Sequence, residues 1–334
     1  MKIFARGSLV AEIAGNFSTV EEAVQLSIQA VLNGAESVKL QTYHPDTLTS
    51  RDAVFDMPNT GLRRQYDVFR ESMINQGMQR EIIYELRNRG IEIFSTPSHP
   101  TDIEFLETCG VNRYKIGSDD CMNFELIEAA GSTGKPVIVS TGMATINEVE
   151  LTVEFCARKN YEFALMHCTT NYPCQLEELN LRTIKTYIDC FKDIEIGFSD
   201  HYPGYISSIV AASLGATFFE KHIMPNSESG GYDAVVSMKV DDIGPFIQSL
   251  KSVEAALGSP LKSMSKAELI NRNNNRKSLF ACRDIISGEM LTNDDLISLR
   301  PGTGIGPNLR CDIVGRRASR TLITGEMIRW EDLA

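Results

Sequence analysis

All five histidines of the chain, at positions 44, 99, 167, 201 and 222, lie at or just beyond the ends of short apolar segments with the length and composition of β-strands. His201 and His222 follow two successive segments, so in a parallel sheet they would be neighbours on adjacent strands. Paired neutral imidazoles are typical ligands of a divalent transition metal. Glu12 and Glu220 would complete or neighbour the coordination sphere. The alternative is that either histidine only hydrogen-bonds a loop.

Three lysines, Lys39, Lys115 and Lys221, occur inside apolar strand segments. An unpaired ammonium would be costly there or would shift its pKa. Lysines that converge on one site predict a bound anion, a phosphate or a carboxylate, with hydroxyl donors from Thr96, Ser118, Ser140 and Ser199. The alternative is a structural Lys–Glu pair across the barrel, which suits Lys221 best; for Lys39 and Lys115 we predict the anion. A Schiff-base aldolase that uses Lys115 or Lys221 is a second enzymatic hypothesis.

The elements that must position these side chains alternate between strand and helix patterns. Predicted strands lie at residues 9–14, 37–42, 91–96, 113–118, 136–141, 163–168, 194–199 and 217–222. Capping boxes at Thr19/Glu22 and Thr145/Glu148 predict two helix starts between them. Eight strand–helix units in about 250 residues predict an α/β fold, a (βα)8 TIM barrel with its active site at the carboxyl ends of the strands. Residues 43–90 contain an insertion, which we interpret as a lid or substrate loop.

Composition limits the possible functions. The 334 residues include 33 basic and 44 acidic side chains, for a net charge of −11, which argues against general nucleic-acid binding. No apolar run is long enough to span a membrane and no signal-type segment begins the chain, so we expect a cytoplasmic protein without a membrane partner. The 8 cysteines form no C-x-x-C pair, and we interpret them as small buried hydrophobic residues rather than disulfides or zinc ligands.

The charge distribution changes near the end of the chain. Residues 276–334 are nearly balanced in charge, whereas the acidic excess belongs to the residues before them. We therefore predict a barrel domain at residues 1–258, a polar linker at 259–275 and a small β-rich domain at 276–334. A domain of this size has a thin core and is expected to dock against another surface.

The motifs AEI..N, VKLQT, YKIGS, STGM, HCT..YP, GFSDH, EKH, SM and LRPGTG occur in this order. Together they resemble the sialic acid synthase family, whose members make nonulosonic acids, and the resemblance extends over essentially the whole chain. It implies a TIM barrel followed by an antifreeze-like (SAF) domain. It also implies an enzyme that condenses phosphoenolpyruvate with the open-chain aldehyde of an N-acetylated hexosamine and releases phosphate. A sugar-binding protein with an inactive barrel is the non-enzymatic alternative.

The resemblance assigns roles to individual residues. His201 and His222 would bind a divalent metal, Mn²⁺ first and Mg²⁺ or Co²⁺ as alternatives, and the expected catalytic carboxylates are Glu12, Asp120 and Glu220, with Glu12 or Asp120 as the base or water holder. The expected phosphoenolpyruvate contacts are Lys39, Gln41, Thr96, Lys115, Ser118, Ser140, Thr170 and Ser199. Tyr172 and Asp233 would contact the sugar, as would Arg300 from the partner subunit of a domain-swapped homodimer.

Three positions differ from the usual family pattern: Phe17 replaces a histidine, Asp120 replaces a glutamate, and Thr170 replaces the asparagine of sialic acid members. The insertion, from QTYHPDTLT to RRQYDVFRES, is more similar to the pseudaminic branch than to the sialic branch.

Overall fold

The structure, a computed structural model, describes residues 2–57, 60–227 and 233–334, and the chain divides into two compact units, Met1–Gly258 and Ser259–Ala334. Its strands are β1 (Ser8–Glu12), β2 (Ser37–Thr42), β3 (Val54–Met57), β4 (Gly61–Arg64), β5 (Glu92–Pro97), β6 (Tyr114–Ile116), β7 (Val137–Ser140), β8 (Phe163–Cys168), β9 (Glu195–Asp200), β10 (Phe218–Met224), β11 (Met238–Lys239), β12 (Ser278–Ala281) and β13 (Leu296–Leu299).

The α-helices of the described residues are α1 (Val20–Leu32), α2 (Pro45–Leu48), α3 (Gln65–Ser72), α4 (Gln76–Asn88), α5 (Pro100–Cys109), α6 (Phe124–Gly131), α7 (Ile146–Arg158), α8 (Arg182–Cys190), α9 (Ile206–Ser213), α10 (Ile243–Leu257), α11 (Lys266–Asn275) and α12 (Arg310–Ile313). None of the helices in the described residues is long and apolar enough to cross a membrane.

The first unit is a closed parallel barrel. Eight strands pair in the order β1, β2, β5, β6, β7, β8, β9, β10, and β10 returns to pair with β1. Each of the eight predicted strands is present, which confirms the (βα)8 barrel. The two predicted capping boxes are also present, at the starts of α1 and α7. Gly110, which ends α5, has a φ of 72°, a left-handed conformation that favours glycine over other residues.

The insertion after β2 contains α2, the antiparallel hairpin of β3 and β4, and α3, before the barrel resumes with α4. It therefore has secondary structure of its own, in agreement with the expectation that it is more than an ordinary connecting loop. Its role as a lid or substrate loop stays a prediction.

The amino-terminal segment closes the end of the barrel where the strands begin. Phe4 is 2% exposed and stacks on Phe218, with 4.5 Å between ring centroids. The guanidinium carbon of Arg113 lies 4.4 Å from the centroid of the Phe4 ring, and Arg113 also pairs with Glu92. Aromatic packing and a partly buried ion pair thus close this end of the barrel, and the candidate functional side chains lie at the opposite end.

The second unit has a separate small core that includes Leu279, Ile285, Ile313 and Leu322. Its strands β12 and β13 are antiparallel, and isolated bridges join the rest of the unit. Part of the predicted linker is the helix α11, which begins with a capping box formed by Ser265 and Glu268 and buries none of its side chains.

Candidate active site

Strand register places the first functional side chains next to one another. Glu12 at the end of β1 lies beside Lys39 of β2 on one side and beside His222 of β10 on the other. The carboxylate of Glu12 forms an ion pair with Lys39, and their side chains are only 1% and 4% exposed. Glu12 Oε1 also accepts a hydrogen bond from the backbone N–H of Ala14, at 2.7 Å. The pair is therefore a fixed part of the barrel interior.

Glu220 connects the two lysines of the interior. Its Oε1 atom lies 3.1 Å from Lys115 Nζ and 3.8 Å from Lys39 Nζ, and accepts a hydrogen bond of 3.3 Å from Ser199. Lys39 Nζ also donates to Thr96 Oγ1 at 2.8 Å. Two ammonium groups thus face two carboxylates, so the mouth of the barrel is electrically balanced in the absence of ligand.

This arrangement changes the interpretation of the lysines. The Lys–Glu pair was expected for Lys221 only, but Lys39 and Lys115 are the ones that pair with glutamates. Lys221 pairs instead with Asp200, on the opposite face of β10 from Glu220, and its side chain is fully buried there. Lys221 therefore does not join the anion site, and its position argues against a Schiff-base role.

The pKa values of the network follow from burial and pairing. Burial raises the pKa of Glu12, and the charge of Glu220 adds to this while that of Lys39 opposes it. Burial alone would lower the pKa of Lys39, but the charges of Glu12 and Glu220 keep it above the usual value. Burial would raise the pKa of Glu220, yet Lys115 and Lys39 together lower it. The network therefore keeps Lys39 and Glu220 charged, and Glu12 is the group that takes up a proton most readily.

His201 and His222 come together as predicted, with 5.6 Å between their ring centroids. His201 Nδ1 lies 3.0 Å from the carbonyl oxygen of Thr169, and its Nε2 lies 3.0 Å from the hydroxyl of Tyr172. His222 Nδ1 is buried without a hydrogen-bond partner among the described residues, and lies 3.6 Å from Asp233 Oδ2. Burial, with the charges of His201 and Lys39, holds the pKa of His222 well below its usual value.

These groups fit a divalent metal. An unpartnered buried imidazole nitrogen and the unpartnered Oε2 of Glu220 are the kind of donors that a cation would satisfy. Within the described ranges, no group of three or more His, Cys, Asp or Glu side chains is already arranged to hold a metal. Two histidine ligands would leave coordination positions open to water or substrate, as in catalytic sites.

Hydroxyl groups from β6, β7 and β8 meet at the neighbouring strand ends. Ser118 Oγ accepts a hydrogen bond from the backbone N–H of Gly142, at 3.0 Å. A Cβ atom on Gly142 would lie 2.2 Å from Thr170 Oγ1 and 2.8 Å from Ser118 Oγ, so glycine permits this close approach. Ser140 Oγ and Thr170 Oγ1 are buried and have no hydrogen-bond partner among the described residues. Unsatisfied hydroxyls at a strand end indicate a ligand site.

Two predicted residues have weaker connections to the site. Gln41 lies two residues beyond Lys39, on the same face of β2, and pairs in register with Thr96. Asp120 receives a hydrogen bond of 2.8 Å from Asn123 Nδ2, and no ion pair or hydrogen bond of the described residues joins it to the lysine–glutamate network. Burial and the charge of Asp119 raise the pKa of Asp120 to about 6, against the hydrogen bond from Asn123.

Arg300 belongs to the second unit, where it is exposed and directly precedes the cis peptide bond to Pro301. Its proposed contact with the sugar stays a prediction.

The sequence analysis did not single out Cys168, whose Sγ lies 3.8 Å from His201 Nδ1. Burial raises the pKa of Tyr172 well above its usual value, and the charges of Cys168, Asp233 and Asp119 add to this. The alternation of side chains along β8 could have identified Cys168, because it places Cys168 on the opposite face of the strand from His167.

The other three histidines have structural roles. His44 and His99 are the N-cap residues of α2 and α5. His167 Nε2 lies 2.7 Å from the carbonyl oxygen of Leu179, and its ring stacks on Phe198. Only His201 and His222 are thus available for a metal.

Comparison with known proteins identifies the family of the chain. Residues 27–262 match the model of the NeuB family, and residues 276–334 match that of the SAF domain. The chain is 33% identical over 337 residues to N,N'-diacetyllegionaminic acid synthase of Legionella pneumophila, which covers 97% of this chain and 94% of that protein. It is 31% identical over 330 residues to pseudaminic acid synthase of Campylobacter jejuni, with coverage of 97% and 96%.

Among solved structures, N-acetylneuraminic acid synthetase of Leptospira borgpetersenii superposes with a TM-score of 0.70 at 24% identity, over 79% of this chain and 89% of that one, which supports the fold. With the family model matched over most of the barrel, the chain belongs to the NeuB family.

Proposed function

We propose that the chain is a nonulosonic acid synthase, which condenses phosphoenolpyruvate with the open-chain aldehyde of an N-acetylated hexosamine to form a nine-carbon 2-keto acid and phosphate. The observation that carries the proposal is the Lys39–Glu220–Lys115 bridge, which lies beside the His201–His222 pair at one end of the barrel. An anion site next to a pair of metal-type ligands is what this reaction requires.

Lys39 and Lys115 are proposed to bind the anionic groups of phosphoenolpyruvate. Both ammonium groups are buried and share Glu220 as a counter-ion. An incoming phosphate or carboxylate would therefore pair with the two ammonium groups in part in place of Glu220. The unpartnered hydroxyls of Ser140 and Thr170, with Ser118 beside them, would donate hydrogen bonds to the same molecule. Lysines that neutralise the phosphate also stabilise it as it leaves.

His201 and His222 would hold the divalent metal, with Mn²⁺ as the first choice and Mg²⁺ or Co²⁺ as alternatives. When bound, such an ion supplies Lewis-acid polarisation of the sugar aldehyde. The contact of His201 Nδ1 with the carbonyl oxygen of Thr169 leaves Nε2 directed toward the site. Asp233 and Tyr172, which contact the two histidines, would address the sugar.

Glu12 is the preferred base for the water that adds at C2 of phosphoenolpyruvate. Its carboxylate lies between Lys39 and His222, and burial raises its pKa, which makes it a stronger base than an exposed carboxylate. Asp120 has a raised pKa as well, but its described contact is with Asn123 in its own turn. Glu220 would position the lysines.

The assembly proposal is a domain-swapped homodimer in which Arg300 reaches the sugar of the partner subunit's barrel. The small core of the second unit and the exposure of Arg300 support it. Mixed Arg300→Ala and Lys115→Ala chains should recover about a quarter of wild-type activity, because half the dimers are hybrids with one intact site. Verified subunit exchange without recovery would contradict the swap.

The sugar is expected to be a 6-deoxy diacetamido hexose or N-acetylmannosamine, since the relatives include legionaminic and pseudaminic acid synthases. The interpretation of all eight cysteines as buried residues is wrong, because Cys190, Cys282 and Cys311 are exposed. All eight are free thiols, and exposed free thiols support the proposal of a reducing, cytoplasmic location.

A screen of N-acetylated hexosamines tests the proposal. The full-length protein would be incubated with phosphoenolpyruvate, Mn²⁺ and each sugar, with phosphate release followed and the product identified by mass spectrometry. We expect sugar-dependent phosphate release that stops on chelation and returns with Mn²⁺. Full activity after exhaustive chelation, or trapping of a substrate on lysine by borohydride, would contradict the proposal.

A further inference from the structure

We infer that Lys221 is a positioning residue that fixes His201 relative to His222. The inference rests on the proposed metal site, because it concerns how the two histidines are held at the separation that a shared ion would need. Lys221 directly precedes His222 in β10, so its backbone is continuous with one ligand. Its side chain reaches the backbone that carries the other.

The ammonium group of Lys221 contacts the backbone carbonyl oxygens of the two residues that flank His201. Its Nζ donates to the carbonyl oxygen of Asp200 at 3.3 Å and to that of Tyr202 at 2.6 Å. A third contact, of 3.3 Å, is the ion pair with Asp200 Oδ2. An ammonium has three donors, so one buried side chain holds the residue before His201 and the residue after it.

The geometry of the strands makes this arrangement possible. Lys221 and Asp200 are register partners on β10 and β9. Because side chains alternate along a strand, Glu220 and His222 face the barrel interior and Lys221 faces the helix layer. His201 comes one residue after the end of β9, where its carbonyl oxygen accepts a backbone hydrogen bond of 3.2 Å from the N–H of Cys174. Lys221 adds a second restraint, from the helix side of the sheet.

The Asp200 carboxylate extends the restraint to the next helix. Oδ1 accepts from the backbone N–H of Tyr202 at 2.9 Å, and Oδ2 accepts from the hydroxyls of Ser207 and Ser208 at 2.6 Å each. Ser207 and Ser208 lie in the first turn of α9. Asp200 and Lys221 are both completely buried, so water cannot replace either partner.

The test is a metal titration of chelator-treated, full-length protein by calorimetry, with Mn²⁺ as the probe and no substrate present. Lys221→Met retains the length of the side chain and removes its donors. We expect its affinity for Mn²⁺ to fall about 10- to 100-fold, the range seen when residues that orient metal ligands are changed. The absorption spectrum of the Co²⁺-loaded protein should also change, since it reports coordination geometry.

Arg113→Met is the matched control. It breaks a partly buried ion pair, Arg113–Glu92, whose side chains are 10% and 27% exposed, at the opposite end of the same barrel. It should lower thermal stability and leave the affinity for Mn²⁺ unchanged. An equal loss of affinity in both variants would overturn the inference, because it would trace the effect to general destabilisation.

Unchanged Mn²⁺ affinity and Co²⁺ spectrum in Lys221→Met would also overturn it. If that variant does not fold, the double variant Ser207→Ala/Ser208→Ala removes two hydrogen bonds to Asp200 and should lower Mn²⁺ affinity several-fold. Wild-type Mn²⁺ affinity in the double variant would refute the inference. Failure of the wild type itself to bind Mn²⁺ or Co²⁺ would instead overturn the proposed metal site, and the inference with it.

Discussion

Replacement of Lys39 by methionine tests whether the interior of the barrel is held by charge pairing. The substitution leaves the Glu12 carboxylate with its hydrogen bond from Ala14 and without its cation. Glu12 is only 1% exposed, so water cannot compensate, and the cost belongs to the range for broken buried pairs, about 3–5 kcal/mol of unfolding free energy. An exposed pair would cost roughly 0–1 kcal/mol.

The assay is chemical denaturation followed by far-ultraviolet circular dichroism. Tryptophan fluorescence would not serve, because the single tryptophan, Trp330, belongs to the second unit and does not report on the barrel. Lys159→Met is the matched control, since Lys159 pairs with Glu128 and both are more than 40% exposed. It should lower stability far less than Lys39→Met, because an exposed pair contributes little.

The double variant Lys39→Met/Glu12→Gln separates charge from packing. Removal of both charges should recover at least half of the stability lost in the single variant, because no unpaired buried charge remains. Activity should not recover, since Lys39 is a proposed ligand of phosphoenolpyruvate. A double variant as unstable as Lys39→Met, or a single variant that loses no more than the Lys159→Met control, would refute the reasoning.

Three further changes have distinct expected results. Asp120→Asn should alter the pH dependence of stability, because the pKa of Asp120 is raised to about 6 from 3.8 and its ionisation therefore destabilises the fold. As the pH falls from about 7 to 4, the unfolding free energy of the wild type should rise by about 1–2 kcal/mol relative to that of the variant, as measured by denaturation at each pH. Parallel pH profiles would contradict this. Gly142→Ala should push Thr170 away and raise the KM for phosphoenolpyruvate at least about tenfold. Gly244→Ala should leave KM unchanged, because its Cβ would make only an ordinary contact, 3.9 Å from the carbonyl oxygen of Asn33. Phe4→Ala should cost about 3–5 kcal/mol in denaturation and leave kcat of the folded enzyme unchanged; a specific loss of kcat would show that the two ends of the barrel are coupled.

The barrel could be predicted from the sequence because each strand was a short apolar segment between helical patterns. The starts of α1 and α7 could also be predicted, because the capping boxes at Thr19 and Thr145 involve only residues that are close in sequence. The pairing of His201 with His222 followed from strand ends and parallel order alone.

The orientation of individual side chains was harder to predict. The sequence favoured a Lys–Glu pair across the barrel for Lys221, but alternation along β10 turns this side chain away from the interior and toward Asp200. His167 and Cys168 are adjacent, and it is the cysteine that lies near His201. A shift of one residue exchanges the two faces of a strand, so predicted strand ends, uncertain by a residue or two, cannot decide which face a side chain occupies.

Contacts made by backbone atoms were invisible in the sequence. The carbonyl oxygen of Thr169 and those on either side of His201 depend on the path of the chain after a strand ends. Any residue type presents a carbonyl, so no residue pattern predicts them.

The most direct test of the proposed condensation follows the bridging oxygen of phosphoenolpyruvate. The protein, Mn²⁺ and a sugar found active in the screen would be supplied with phosphoenolpyruvate labelled with ¹⁸O between carbon and phosphorus. If C3 attacks the aldehyde and water then adds at C2, the label leaves with phosphate while a nine-carbon keto acid forms. Unlabelled phosphate, or phosphate release that does not require the sugar, would contradict the account.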